Sequence, residues 1–250
     1  MIIDSHIHIN SKVVDSVENS IQRINDNKSI ESVINIGLNL ETSKEIINIS
    51  KNNNKFYNSI GIHPLYIENE DYKKLYVLIT DKTVAIGEIG LDNSKNNFYD
   101  QRKYLIKQIM IANELKLPVI IHANNTNKEI VEIFKKYVRP IYGCVFHSFQ
   151  PDIETLKYLL DNGYFISFAG RITYKSAKKS IDVIKRVPNN NFIIETDSPY
   201  IPIGLNKELL SDTLNIDSII NKISEIKEIK KEEVERLINN NTKILFKKMR

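Results

Sequence analysis

Short apolar runs alternate with longer amphipathic stretches along the whole chain. The runs are rich in β-branched residues and fall at Met1 to Asp4, Ser32 to Ile36, Tyr57 to Ile62, Val84 to Ile89, Pro118 to Ile121, Cys144 to His147, Tyr164 to Phe168 and Phe192 to Glu195. Their spacing of roughly 30 residues is that of a strand plus a crossover helix. Their nearly continuous apolar character is that of parallel strands buried on both faces. About eight such units predict an α/β fold, a (β/α)8 TIM barrel.

The stretches between the runs carry helix punctuation. Thr42 to Glu45 and Thr126 to Glu129 each fit a capping box, a hydroxyl and a carboxylate satisfying amide donors at a helix start. Pro151, the leucines at 156, 159 and 160, and Gly163 fit a helix with proline first and glycine last. Leu105, Ile109, Ala112 and Leu115 form one apolar stripe, and Val234, Leu237, Ile238, Ile244 and Leu245 another; both are expected to face the core. The asparagine triplets at 52–54, 189–191 and 239–241 are expected to cap helices or form turns. The longest loop candidate, Pro199 to Asn215, follows the last strand and so belongs over the top of the barrel. With no linker or low-complexity insert, residues 1–250 read as one domain.

Composition changes this picture little. At 250 residues and 29.0 kDa, with 42 % hydrophobic and 26 % charged residues, the chain has the balance of an ordinary globular protein. A net charge of +4 favours anionic partners only weakly. One cysteine, Cys144, excludes an internal disulfide, and its place in an apolar run makes it a buried core residue. No charged segment precedes a long apolar one at the N-terminus, and no run is long enough to cross a bilayer. The expectation is a cytoplasmic monomer without a membrane partner.

Candidate chemistry sits where a barrel enzyme keeps it, at the C-terminal ends of the strands. His6 and His8 end the first run, His63 the third, Glu88 the fourth, His122 the fifth and His147 the sixth, while Asp197 follows the eighth. A single histidine beside an apolar run is ordinarily structural. Independent structural histidines would not, however, all fall at one end of one barrel, and the helical stretches contain none of the five. Imidazole nitrogen with carboxylate oxygen is a ligand set for Zn²⁺, Mn²⁺, Fe²⁺ or Ni²⁺, and an open carboxylate-rich version also takes Mg²⁺. Four histidines and two acids exceed the needs of one tetrahedral ion, which argues for two divalent ions sharing Glu88.

Through IDSHIHIN, GIHP, GEIGLD, LPVIIH, VFHSF, FISFAGRIT, IIETDSPYIP and NNTKILF, the chain resembles the TatD family of metal-dependent deoxyribonucleases over nearly its whole length. The resemblance implies that His6, His8, Glu88 and Asp197 hold one metal and that Glu88 bridges to a second, held also by His122 and His147. It further implies that His63 contacts the scissile phosphate or its water, that Glu195 supports the site, and that Asp197 doubles as the base. The implied activity is 3'-5' exonuclease cleavage of single-stranded DNA or RNA, with single-stranded DNA ends as partner and two divalent ions (Mg²⁺, Mn²⁺ or Zn²⁺) as cofactors.

Arg171, with Lys175, Lys178 and Lys179, is placed to meet phosphates, and Tyr66 and Tyr200 to stack a terminal base. Leu65, Asn124 and the Ile203 to Lys207 segment depart from the family pattern, which touches specificity rather than hydrolysis. Two other readings share the barrel: an amidohydrolase cleaving C–N bonds and a non-catalytic nucleic-acid binding protein. Glu88 stands where two-metal amidohydrolases commonly carry a modified lysine, and no ligand is missing; both facts favour the nuclease reading.

Overall fold

Eight parallel strands pair in chain order into one sheet: β1 (Ile2–Ile7), β2 (Ile30–Ile36), β3 (Phe56–Ile60), β4 (Thr83–Asp92), β5 (Val119–Asn124), β6 (Cys144–Phe146), β7 (Phe165–Phe168) and β8 (Phe192–Ile194). The structure, a computed structural model, describes residues 1–204 and 212–249. Helices α1 (Val17–Asp26), α2 (Leu40–Asn52), α3 (Phe98–Glu114), α4 (Asn127–Lys136), α5 (Ile153–Asp161) and α6 (Lys178–Arg186) are crossovers, and α7 (Ile216–Lys227) and α8 (Lys231–Leu245) follow β8. Between β3 and β4 the crossover is made of 3₁₀ turns, Pro64–Tyr66 and Tyr72–Leu78, rather than an α-helix. No helix among the described residues is long and apolar enough to cross a membrane.

The sheet closes at a seam between β1 and β8. Ile7 bridges Ser198, the His8 N–H donates to the Ser198 carbonyl at 2.7 Å, and the Asp197 N–H donates to the His6 carbonyl at 2.9 Å. Below this the buried Asp4 carboxylate accepts from the Thr196 N–H at 3.0 Å and its hydroxyl at 2.6 Å. Asp4→Ala removes both of these hydrogen bonds from a dry interior while the Thr196 hydroxyl keeps Ser198 Oγ at 2.8 Å, so we expect a loss of about 2 kcal/mol, read by urea unfolding.

Two apolar layers result. One lies between the strands and the helices. The other fills the barrel with Ile3, Ile34, Val84, Ile120, Val145, Phe165 and Ile193, and Leu245, Phe246 and Met249 pack onto it from the C-terminal segment.

Several local expectations are corrected. Helix α2 begins earlier than Thr42: Asn39 is its cap, accepting the Thr42 N–H at 2.9 Å, and Thr42 is the third helical residue. Thr126 does precede α4, but its hydroxyl donates to the Leu91 carbonyl at 2.8 Å instead of capping the helix. Asp152 caps α5, so Pro151 lies before the helix rather than at its first position, and Gly163 turns the chain just past its end at φ +69°. Ile244 is 43 % exposed, off the buried face of α8.

Asn239–Asn241 lies inside α8 rather than in a turn, because tertiary partners take its amides. The Asn241 amide donates to the carbonyls of Asn189 and Phe192 at 2.8 Å each, and Asn239 accepts the Ile3 N–H at 3.0 Å. Of the long loop after β8, Leu205 to Ser211 lie outside the described residues, and with them most of the Ile203 to Lys207 departure.

Candidate metal centre

The strands deliver side chains to the centre by breaking their own regularity. Pairing of β1 with β2 slips between Asp4 and Ile7, around His6, and pairing of β4 with β5 slips between Ile86 and Ile89, around Glu88. Such irregularities re-aim a side chain that the pleat would otherwise send elsewhere. Glu88 is therefore not at the end of β4, as expected, but in its middle, and β4 runs on to Asp92. Beyond β5, β6 and β8, Asn125, Ser148 and Asp197 take positive φ of 54°, 42° and 53°, sharp turns at the rim of the cavity.

Buried amides hold the backbone behind these residues. Asn35 of β2 exchanges two hydrogen bonds with Ile9, Gln108 of α3 two with Ile62, and Gln101 of α3 two with Asp92. Each clamps the chain next to His8, His63 or the end of β4.

All the predicted ligands meet around Glu88. Its Oε2 faces His6 Nε2 at 3.4 Å and His8 Nε2 at 3.9 Å. Its Oε1 faces His122 Nδ1 at 2.7 Å, His147 Nε2 at 2.9 Å and His63 Nε2 at 3.7 Å. Asp197 Oδ1 stands 3.4 Å from His8 Nε2 and 3.8 Å from His6 Nε2. Donor atoms lying within 4.8 Å of one another form three overlapping sets: His6, His8 and Asp197; His6, Glu88 and His147; His63, Glu88 and His122.

The donor set suits a divalent cation. His6 Nε2 and His8 Nε2 approach to 3.1 Å while both face carboxylates, and the buried Nδ1 atoms of the same two rings have no hydrogen-bond partner among the described residues. Nitrogen and oxygen donors of this kind take Zn²⁺, Mn²⁺ and related ions.

The electrostatics call for positive charge at the same point. Burial pushes Glu88 up, but His147, His63 and His122 outweigh it and hold the carboxyl well below the usual range; Asp197 is lowered against burial by His8, His147 and His6. Burial opposes protonation of His147 and His122, yet Glu88 and Glu195 raise the first and Asp92 and Glu88 the second.

His63 differs from His122 and His147. Burial drops its pKa to about 3, so it is neutral, and its Nδ1 accepts the Leu65 N–H at 3.2 Å. The ring proton therefore sits on Nε2, which points into the site as a donor.

Above the centre is a cleft of about 330 Å³ whose walls include Tyr66, Arg171 and Tyr200. Tyr200 packs edge-on to His8 and Tyr66 edge-on to His63, with ring centroids 5.0 and 5.9 Å apart. Lys175, Lys178 and Lys179 are exposed and do not line it.

Glu195 does not line the cleft. It lies behind His147, accepting from the Ser148 N–H at 2.7 Å and the Ser167 hydroxyl at 2.6 Å. Asp92, the last residue of GEIGLD and of β4, has no role expected from the sequence, yet its Oδ2 is 2.8 Å from His122 Nε2. Leu65 lines the cleft, and Asn124 donates to Asp92 Oδ1 at 3.2 Å.

A family model described as TatD related DNase matches residues 3–247. The chain is 30 % identical over 254 residues to the uncharacterized metal-dependent hydrolase YabD of Bacillus subtilis, with 99 % of each covered. The crystal structure of YjjV, a TatD homolog from Escherichia coli K12, superposes with a TM-score of 0.89 at 26 % identity, covering 98 % of each chain. A TatD family hydrolase from Entamoeba histolytica, at 22 % identity and a TM-score of 0.84 over 98 % of this chain and 97 % of its own, shares the fold.

Proposed function

The chain belongs to the TatD family of metal-dependent hydrolases, and on that premise we propose that it cleaves phosphodiester bonds at single-stranded DNA ends with two divalent ions. The observation that carries this reading is the division of labour at Glu88: one oxygen faces His6 and His8, the other His122, His147 and His63. A carboxylate that presents its two oxygens to two groups of imidazoles would be able to hold one divalent ion on each side.

Divalent ions held by His6, His8, Glu88, His122, His147 and Asp197 would lower the pKa of the attacking water and neutralise charge developing at phosphorus. The remaining work falls to side chains. Asp197, kept ionised by the histidines around it, accepts the proton of the attacking water. His63 Nε2–H donates to a phosphoryl oxygen. Tyr66 and Tyr200, 45 % and 51 % exposed, offer faces for a terminal base, and Arg171 offers charge to a neighbouring phosphate.

The test is an end-labelled single strand incubated with the purified protein and Mn²⁺, Mg²⁺ or Zn²⁺. Progressive shortening that stops on chelation and resumes on adding metal is the expected result. Intact DNA alongside consumption of a cyclic amide would instead establish the C–N hydrolase reading.

A further inference from the structure

His122 and His147 approach Glu88 Oε1 through different nitrogens. His147 presents Nε2, with Nδ1 3.1 Å from Glu195 Oε1. His122 presents Nδ1, with Nε2 2.8 Å from Asp92 Oδ2. Both ring nitrogens of His122 thus lie against carboxylate oxygens, an orientation that a flipped ring would lose. Asp92 is itself fixed: it is 3 % exposed, and its Oδ1 accepts from the Ser94 N–H at 2.8 Å, the Ser94 hydroxyl at 2.5 Å and the Asn124 amide at 3.2 Å. All three donors fall on Oδ1, which leaves Oδ2 for the imidazole alone.

We infer that Asp92 is a positioning residue: it accepts the hydrogen bond of the His122 Nε2–H and so leaves the Nδ1 lone pair free for an ion beside Glu88. A neutral imidazole can ligate only through the nitrogen that carries no proton, and the partner of the other nitrogen decides which one that is. The inference rests on the metal-dependent reading above, and it assigns Asp92 to the Glu88 Oε1 side alone. Among the described residues no hydrogen bond supports Nδ1 of His6 or His8, the Glu195 carboxylate standing 4.0 Å from the former.

The substitution that separates orientation from packing is Asp92→Asn compared with Asp92→Ala. In Asp92→Asn the three donors hold the amide oxygen at the Oδ1 place and turn the NH₂ toward His122 Nε2. That nitrogen must then accept, the ring proton moves to Nδ1, and the ligand atom is blocked. Asp92→Ala removes the partner without imposing the wrong tautomer. Titrating metal-free full-length protein with Mn²⁺ in a calorimeter, we expect Asp92→Asn to weaken one binding event about 100-fold and Asp92→Ala about 10-fold, the range for partners of ligating histidines. The event assigned to His6 and His8, identified as the one lost in His8→Ala, stays in place.

Equal or greater weakening in Asp92→Ala, or weakening of both events alike, overturns the inference. A wild-type protein that binds no ion sinks instead the metal-dependent reading beneath it. A measurement without Asp92 variants covers a failure of either to fold. In the Zn²⁺-loaded wild type, nitrogen NMR of the His122 ring should show a protonated Nε2 and a metal-bound Nδ1, and the reverse assignment rejects the proposal.

Discussion

Glu88→Gln is expected to lower kcat on a single-stranded substrate by about 10³-fold or more and to release bound metal, measured by elemental analysis of the purified protein. The size follows from how much converges on one group. Both carboxylate oxygens face imidazole nitrogens, on opposite sides, at 2.7 to 3.9 Å. Glutamine has the same shape but one oxygen, and its NH₂ would point at nitrogens that must themselves face a cation. Losing a group that stabilises charge in a dry site costs roughly 10²- to 10³-fold alone, and on the proposed function this one change would break the ligand sets of two ions at once. Full metal content and activity in this variant would remove Glu88 from the bridging role. His63→Gln is the useful contrast: as a hydrogen-bond donor to substrate on the proposed function rather than a proposed ligand, it should lose turnover while metal content stays at the wild-type level.

The second large effect is on the fold that holds the centre. Gly90 is paired with His122 across β4 and β5, and a Cβ at that position would overlap the His122 carbonyl oxygen. Backbone, not a flexible side-chain tip, is the obstacle, so Gly90→Ala can be accommodated only if the two strands move apart at the point that aims His122. We expect a loss of about 4 kcal/mol in unfolding free energy, the upper range for overpacking in a core, with weakened metal binding in whatever protein folds. Gly163→Ala is the control. Gly163 has a positive φ, +69°, but a Cβ there meets nothing within 4 Å, and the cost should be about 1 kcal/mol. Similar midpoints for the two variants would show that the β4–β5 approach is not tight.

Much of this was readable along the chain because the barrel repeats one unit and buries its strands on both faces. Every strand expected from an apolar run is present, and all five histidines lie at the same end. The errors share a cause. Strand bounds slipped where polar residues continue the pairing, as in β4, where Glu88 sits mid-strand and the ladder extends to Asp92. Cap assignments slipped where tertiary contacts claimed the capping side chain: the Thr126 hydroxyl went to Leu91, and the α8 asparagines went to Ile3, Asn189 and Phe192.

The clamps were missed for a related reason. Gln101 and Gln108 fall among the apolar positions of α3, and a polar residue in an apolar stripe is the signal that would have exposed them. Asp92 gave no such signal, since an acid after a strand ordinarily caps the next helix.

What the sequence determined by itself was the kind of donors, their order and the end of the barrel where they gather. Apolar spacing sets the topology, and topology sets which strand ends become neighbours. What only the tertiary structure decided was which atom of each donor faces inward. The choice between Nδ1 and Nε2 at His122 and His147 is made by Asp92 and Glu195, residues 30 and 48 positions away in the chain. Ring orientation depends on hydrogen bonds a few ångströms long between strands, a scale on which no pattern of residue types along the chain carries information.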